Sequence, residues 1–281
     1  MSRSRALVLT FFAMTAFAGN SLLCRMALAS TSIDPASFTS IRIISGAVCL
    51  WLIVRARGAA SGASGGWLSA LALFSYAAGF SFAYVSLPAG TGALLLFGAV
   101  QVTMIGNGLW KGERFGKRET TGLAIASAGL VGLLSPGVAT PSLQGAVLML
   151  GAGIAWGVYS LRGRRAGDPI QVTAGNFLRA VPFAAVLCIA ALPWASIDVH
   201  GAGYALASGI LTSGVGYSIW YSALKQLSTT EAAIVQLSVP VIAAAGGILL
   251  LGEHLTLRLV IVSAAILGGI ALGILGKRQA A

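Results

Sequence analysis

Charge is scarce in this 281-residue sequence: only 9% of its residues are Asp, Glu, Lys or Arg, against about 25% in an ordinary soluble domain. Acidic side chains are the scarcer half, seven against eighteen basic ones, and there are two histidines. So little polar material cannot cover a water-facing surface, which excludes a soluble enzyme and a disordered region. The three cysteines, Cys24, Cys49 and Cys188, stand apart in apolar runs. That pattern suits neither a disulfide framework nor a metal site. There is no G-x-x-x-x-G-K-[ST] loop, so ATP is not bound by that route, and no cofactor or metal is expected. A net charge of +11 would suggest nucleic acid as the partner of a soluble protein. In so apolar a chain it reads as loop charge on a membrane protein; the expected partners are a lipid bilayer and a small-molecule substrate, with no nucleic acid.

Apolar runs fill the sequence instead. A bilayer-crossing helix needs about 20 mostly apolar residues, and ten such stretches occur, at about 6–28, 36–54, 67–86, 89–110, 119–135, 143–161, 171–192, 202–223, 229–251 and 256–275. Short turn-forming or charged segments separate them, among them Ile33-Asp34-Pro35, Leu87-Pro88 and Ser135-Pro136-Gly137. None of these loops could hold a soluble domain. The first stretch imitates a secretory signal, with Arg3 and Arg5 ahead of an apolar run ending in Ala16-Phe17-Ala18. Continuation through Leu22, Leu23, Met26 and Leu28 favours an uncleaved helix.

With the N-terminus placed in the cytoplasm, fourteen of the basic residues fall on inner segments, Arg258 alone on an outer loop, and Arg25, Arg42 and Arg179 within spans. The bias fixes orientation by the positive-inside rule and predicts a multi-pass protein of the plasma membrane, the inner membrane of a bacterium, with both termini cytoplasmic.

The sequence also matches itself. At a shift of 140, residues 83–134 align without a gap to 223–274 with ten identities. The polar ones carry the information: Gly112-Glu113 pairs with Gly252-Glu253, and Arg118 with Arg258. Further upstream, Arg42 sits like Arg179 and Ala18-Gly19 like Trp156-Gly157. The expected fold is therefore all-α, ten transmembrane helices as two inverted five-helix repeats, residues 1–138 and 139–281, forming one membrane unit. Five is odd, so the second half enters from the opposite side. Inverted repeats are a recurrent plan of secondary transporters, with the substrate near mid-membrane between the halves.

On these residues the chain resembles the drug/metabolite transporter superfamily, specifically its EamA-type members. The resemblance rests on Leu109-Trp110-Lys111-Gly112-Glu113-Arg114, Leu249-Leu250-Leu251-Gly252-Glu253-His254, Trp156-Gly157, the Arg42 and Arg179 positions and Pro240. It departs at Ala18, where the family often has Trp, and at Val100, where the first half often has Pro. Within the superfamily the chain is most similar to YddG-type amino acid exporters. The resemblance implies outward movement of aromatic or other neutral amino acids, by a unit for which a monomer suffices.

Candidate substrate contacts follow from polar and aromatic residues inside spans, which usually face the bundle interior or a cavity. Tyr76 and Phe80 share a helix face at i, i+4 with Tyr84 one turn on; Tyr217 and Trp220 lie in the eighth span. Trp156 and Tyr159 adjoin Gly153 and Gly157. Asn20, Gln101 (one turn after Phe97) and Gln236 are amides well inside apolar spans, and would either contact substrate or tie helices together. Tyr84 and Tyr221, near span ends, read better as interfacial belt residues. Glu113 and Glu253, each after a glycine at a helix end, are expected to anchor turns or pair with Arg. Arg42 and Arg179 are expected to hold helix-end carbonyls, with attraction of a substrate carboxylate as the alternative. Pro240 should interrupt its helix and leave the carbonyl of residue 236 without its usual donor. The glycine pairs 108/112, 153/157 and 269/273 predict close helix packing.

Rival functions fare worse. An intramembrane serine protease needs a base beside its serine, and both His200 and His254 lie in loops. A metalloenzyme would need clustered ligands, and a channel would need a charged or carbonyl-lined filter. A nucleotide-sugar, phosphate or drug carrier of the same superfamily would call for several buried cations converging at one depth. For coupling, Glu231 is the acidic residue nearest a span interior, so proton exchange and downhill transport stay equally open. Direction and substrate are not fixed by composition or spacing.

Overall fold

The computed structural model describes residues 3–58, 64–110, 112, 116–134, 141–163, 168–224, 227 and 235–278. Among them every regular element is helical. In chain order these are α1 (Arg3–Ser30), α2 (Pro35–Ala56), α3 (Trp67–Tyr84), α4 (Ala89–Trp110), α5 (Lys117–Leu134), α6 (Leu143–Gly163) and α7 (Pro169–Ala191), which ends in a 3-10 turn (Leu192–Trp194). The eighth rod has three parts: α8 (Val199–Ala207), a π-helical segment (Ser208–Val215) and α9 (Gly216–Leu224). Then come α10 (Ser238–Leu251) and α11 (Leu257–Arg278). Six helices are long and apolar enough to cross a membrane, and three shorter apolar ones cover Thr120–Leu133, Ser238–Leu251 and Leu257–Gly273. Among the described residues the protein is all-helical, with the apolar helices of a multi-pass membrane protein.

Local chemistry explains where helices start and stop. α2 and α7 each begin with Asp-Pro: Asp34 Oδ1 accepts the N–H groups of Ala36 and Ser37, and Asp168 Oδ1 those of Ile170 and Gln171. In both, proline occupies the first helical position, where its missing N–H is not needed. Thr39 and Thr173 donate back to the proline carbonyls at 2.7 Å, so both halves carry Asp-Pro-x-x-x-Thr. At the far end, Gly252 (φ 65°) turns left-handed and closes α10. Residues 235–236 are helical, Leu237 is a turn, and the helix restarts at Ser238. The break falls where Pro240 withholds an N–H from the carbonyl of residue 236.

Packing is set by small residues. α5 and α11 run against each other at backbone distance, because Gly122 meets Gly269 and Gly273. α6 approaches α4 closely because Gly153 faces the Leu96 carbonyl and Ala99, and Gly157 faces Thr103. α2 packs on α7 and on the π segment, α3 on α6 and α7, α4 on α6 and α10, and α1 on the whole eighth rod and α10. Large apolar side chains on the outside, such as Phe11, Val131, Val186 and Leu249, form the surface that lipid tails require. Trp67 and Trp194, exposed at helix ends, suit the interfacial belt. Tyr84 does not: it is fully buried, and its hydroxyl donates to the Ala89 carbonyl at 3.1 Å.

Two loops of the two halves interlock. Asp34 N–H donates to the Ser196 carbonyl at 2.9 Å and Asp34 Oδ2 accepts from Ser196 N–H at 3.0 Å. Asp198 caps α8 through Gly201 N–H and accepts from Ser32 N–H across the same junction. Partial burial pushes the Asp34 pKa up, but hydrogen bonds from Ser37, Ser196 and Ala36 outweigh this and hold it below the usual carboxylate value. Gly201 N–H, with help from Thr31 and Ser32, lowers that of Asp198. A folded pKa below the unfolded value contributes stability above the unfolded value, about 4, that is lost as pH falls through the folded one. The thermal midpoint of the purified protein should therefore drop below about pH 4. Asp34→Ala should lower it at pH 7 by the equivalent of about 1 kcal/mol and flatten the acid limb; an unchanged acid limb in a thermal melt series would contradict the assignment.

Candidate substrate site

The eighth rod shapes the site. In an α-helix, Ser208 and Thr212 would share a face and Ser213 would turn away. The π segment bonds i to i+5, which brings Ser213 round to the same side. Opposite stand Asn20 of α1, Arg42 of α2 and Tyr76 of α3. Asn20 Oδ1 accepts from Ser208 Oγ at 2.6 Å and Thr212 Oγ1 at 3.1 Å, while its Nδ2 donates to the Tyr76 hydroxyl oxygen at 3.2 Å. The same oxygen accepts from Arg42 at 3.0 Å. Both acceptor positions of Tyr76 are thereby used, and its own proton remains available to donate.

This network borders a central cavity with Asn20, Ser21, Thr212 and Ser213 on its polar side and Phe17, Tyr76, Phe80, Leu96, Phe97, Trp156 and Tyr217 as its apolar and aromatic walls; Gln236 closes it from beyond the α10 break. The rings form a continuous set: Tyr76 lies 4.8 Å from Trp156 and 5.4 Å from Phe80, and Trp156 lies 5.5 Å from Tyr217. The cavity volume is about 30 Å³, room for one or two waters. In this closed state an amino-acid-sized ligand enters only if the wall moves.

Seven of the ten residues expected to contact substrate line this space: Asn20, Tyr76, Phe80, Phe97, Trp156, Tyr217 and Gln236. The other three stand one layer out. Tyr159 stacks on Trp156 at 5.3 Å and receives a hydrogen bond from Asn176. Trp220 packs edge-on against Phe17 at 5.9 Å, and Gln101 is buried a turn beyond Phe97. Sequence reasoning missed Phe17, Ser21, Ser208, Thr212 and Ser213. The 208/212 spacing of hydroxyls in an apolar span was a usable signal; the π winding that recruits Ser213 was not.

Arg42 and Arg179 differ in kind. Arg179 donates to the Ser64 carbonyl at 2.7 Å and the Gly175 carbonyl at 3.0 Å, holding the approach to α3. Arg42 holds no helix-end carbonyl. Its guanidinium lies 5.1 Å from the centres of both the Tyr76 and Phe80 rings and 3.5 Å from Ser213 Oγ. Counting from the two Asp-Pro caps explains the divergence: Arg42 is eight residues past Asp34, Arg179 eleven past Asp168, so the two do not occupy equivalent positions. Asn176 is the residue in register with Arg42.

At one end of the bundle Glu253 joins three elements. Both carboxylate oxygens lie 2.9 Å from Ala89 N–H at the start of α4, where the helix dipole favours an anion. Oε1 is 3.4 Å from Arg25 Nε, and Arg25 also donates to the carbonyls of Tyr84 and Val85. A larger cavity, about 240 Å³, opens beside this pair and reaches His254 and Arg258. Glu113, the other glutamate of the repeated motif, lies outside the described residues.

With this geometry in place, comparison with known proteins is decisive for family. Residues 143–275 match the EamA-like transporter family. An uncharacterized protein of Pseudomonas aeruginosa is 56% identical over 273 residues, 97% of this chain and 95% of that one. The threonine/homoserine exporter RhtA of Escherichia coli K12 is 36% identical over 143 residues, 48% of this chain and 47% of its own. That of Salmonella typhimurium LT2 is 39% identical over 120 residues, 41% and 39% of the two. The chain belongs to the EamA-like transporter family. A crystal structure of a protein 21% identical covers the whole of both chains with a TM-score of 0.70, a likeness of fold.

For this EamA-family protein the Glu253 junction gives a direct test. Glu253→Gln preserves shape but removes the charge that Arg25 and the α4 N-terminus share. It should destabilise the protein by about 1.5–3 kcal/mol, the usual range for a charged hydrogen bond, read as a lower thermal midpoint in detergent. A midpoint equal to wild type would remove Glu253 from the list of anchors.

Proposed function

We propose that the protein is a secondary transporter that exports small metabolites, foremost neutral amino acids, by alternating access through the central cavity. In this reading ten spans form two inverted five-helix repeats, 1–138 and 139–281, in the plasma membrane, the inner membrane of a bacterium, with both termini cytoplasmic and the monomer as the working unit. The observation that carries it is the pairing of helices. Exchange the first five spans for the second five, and the α2–α7, α4–α10 and α5–α11 packings map onto themselves. The α3–α6 packing maps onto that of the eighth rod with α1, and α4–α6 onto α10–α1. Two halves with interchangeable packing have two arrangements of similar energy, the requirement for opening to either side.

The cavity chemistry supports the substrate class. Aromatic walls with hydroxyl and amide groups along one side suit a neutral, partly apolar solute. The relatives named threonine/homoserine exporters match a segment of under half the chain and favour small hydroxy amino acids alongside the aromatic ones. A nucleotide-sugar or phosphate carrier is less well supported, since Arg25 and Arg179 are engaged at separate helix ends and do not converge with Arg42. Glu231, the candidate for proton coupling, lies outside the described residues.

The test is counterflow of labelled threonine, homoserine, phenylalanine and leucine in proteoliposomes, with and without a pH gradient. At least one should exchange, and Trp156→Ala should slow it tenfold or more by removing the ring that bridges Tyr76 and Tyr217. Exchange of another metabolite but of no amino acid would overturn the substrate assignment, and an undiminished rate in Trp156→Ala would overturn the location.

A further inference from the structure

Arg42 is 1% exposed, and among the described residues no carboxylate lies within ion-pair distance of it. Its Nε and one terminal nitrogen reach Ser213 and Tyr76, while the other terminal nitrogen, NH1, is buried with no hydrogen-bond partner. The groups it touches are neutral: the Tyr76 and Ser213 hydroxyls and the faces of the Tyr76 and Phe80 rings. A charge inside a membrane bundle normally pairs with another group or serves a substrate pathway. Here the positive charge is left uncompensated by protein, one layer behind the Tyr76, Phe80 and Ser213 side chains that line the cavity.

We propose that Arg42 is the carboxylate-recognising residue of the transport site, so that substrates must carry a free carboxylate. This rests on the reading of the central cavity as the substrate site and narrows its chemistry. The closed cavity is too small for an amino acid, so binding must displace part of its wall. A shift of Tyr76 or Ser213 exposes NH1, the group that gains most from an incoming anion, and leaves the Tyr76 proton free to donate to the second carboxylate oxygen. The arrangement also selects against amines that lack an acid group: in them the ammonium would meet the guanidinium with nothing to neutralise either. Asn20, with Ser208 and Thr212 on its oxygen, then stands on the side of the cavity that meets the rest of the ligand, its ammonium or hydroxyl group included.

The experiment is a binding titration on the purified full-length protein, using quenching of tryptophan fluorescence and a thermal-shift series. The probes are L-threonine, L-phenylalanine, their carboxamides, and L-lactate and L-phenyllactate as acids without an amine. Wild type should bind at least one acid and its matching amide at least tenfold more weakly. In Arg42→Gln that preference should vanish, whereas Arg42→Lys should retain part of it. Equal binding of acid and amide by wild type would overturn the role of Arg42 while leaving the transporter reading intact. So would an undiminished preference in a folded Arg42→Gln. Binding of the hydroxy acids but not of the amino acids would support Arg42 and overturn the amino acid assignment instead. Should both variants fail to fold, the acid–amide comparison on wild type decides the matter alone. Absence of binding by every acid would overturn both.

Discussion

A guanidinium at the centre of an apolar helix bundle, with no carboxylate beside it among the described residues, is the constraint around which the rest of the structure is arranged. Arg42 could not sit there bare. The rings of Tyr76 and Phe80 offer it their faces, the weak compensation available from aromatic quadrupoles. The Tyr76 hydroxyl ties it to Asn20, and Asn20 ties α1 to the eighth rod. Four elements from both halves of the chain thus meet on one polar cluster, and the aromatic walls follow from packing around it. The π segment is part of the same arrangement, because only its wider turn brings Ser213 alongside Ser208 and Thr212.

The remaining polar groups obey the rule that lipid imposes: whatever water cannot satisfy, the chain must. Asp34, Asp168 and Asp198 close helix N-termini with their carboxylates, Glu253 does so from a distance for α4, Arg25 and Arg258 occupy carbonyls at helix ends, and Arg179 holds the Ser64 carbonyl in the loop ahead of α3. Among the described residues most of these charges therefore serve helix ends or loop backbone. Against that background Arg42 is the exception, and exceptions of this kind mark function more often than structure. The narrow cavity beside it fits a carrier at rest between its two open states.

Much of this was legible in the sequence, for identifiable reasons. Apolar runs broken by Pro and Gly locate helices because a spanning segment has no other way to satisfy its backbone. Tyr76, Phe80 and Trp156 were recognisable as wall residues because large rings beside glycine in a polar-poor span have few other places to go. Gly252-Glu253 revealed itself as an end-of-helix device through its repetition, although its partners, Arg25 and the start of α4, are too distant in sequence to be deduced. Arg42 and Arg179 part company because the Asp34-Pro35 and Asp168-Pro169 caps put them three residues out of register, a difference that counting along the sequence exposes only once both caps are recognised as helix starts. The π segment had no sequence counterpart: a departure from 3.6-residue winding depends on how tightly Gly209 and Gly214 let α2 approach, which is a property of the packed bundle.

The central claim is that this cavity is open in turn to each side of the membrane and holds the substrate in between. Ser213→Cys, placed in a background with Cys24, Cys49 and Cys188 replaced, tests it most directly, by labelling with a membrane-impermeant thiol reagent in right-side-out and inside-out vesicles. The account predicts labelling from both sides and protection from both by saturating transported substrate. A cysteine at this position that reacts from neither side, or that reacts equally fast with the site filled, would contradict it.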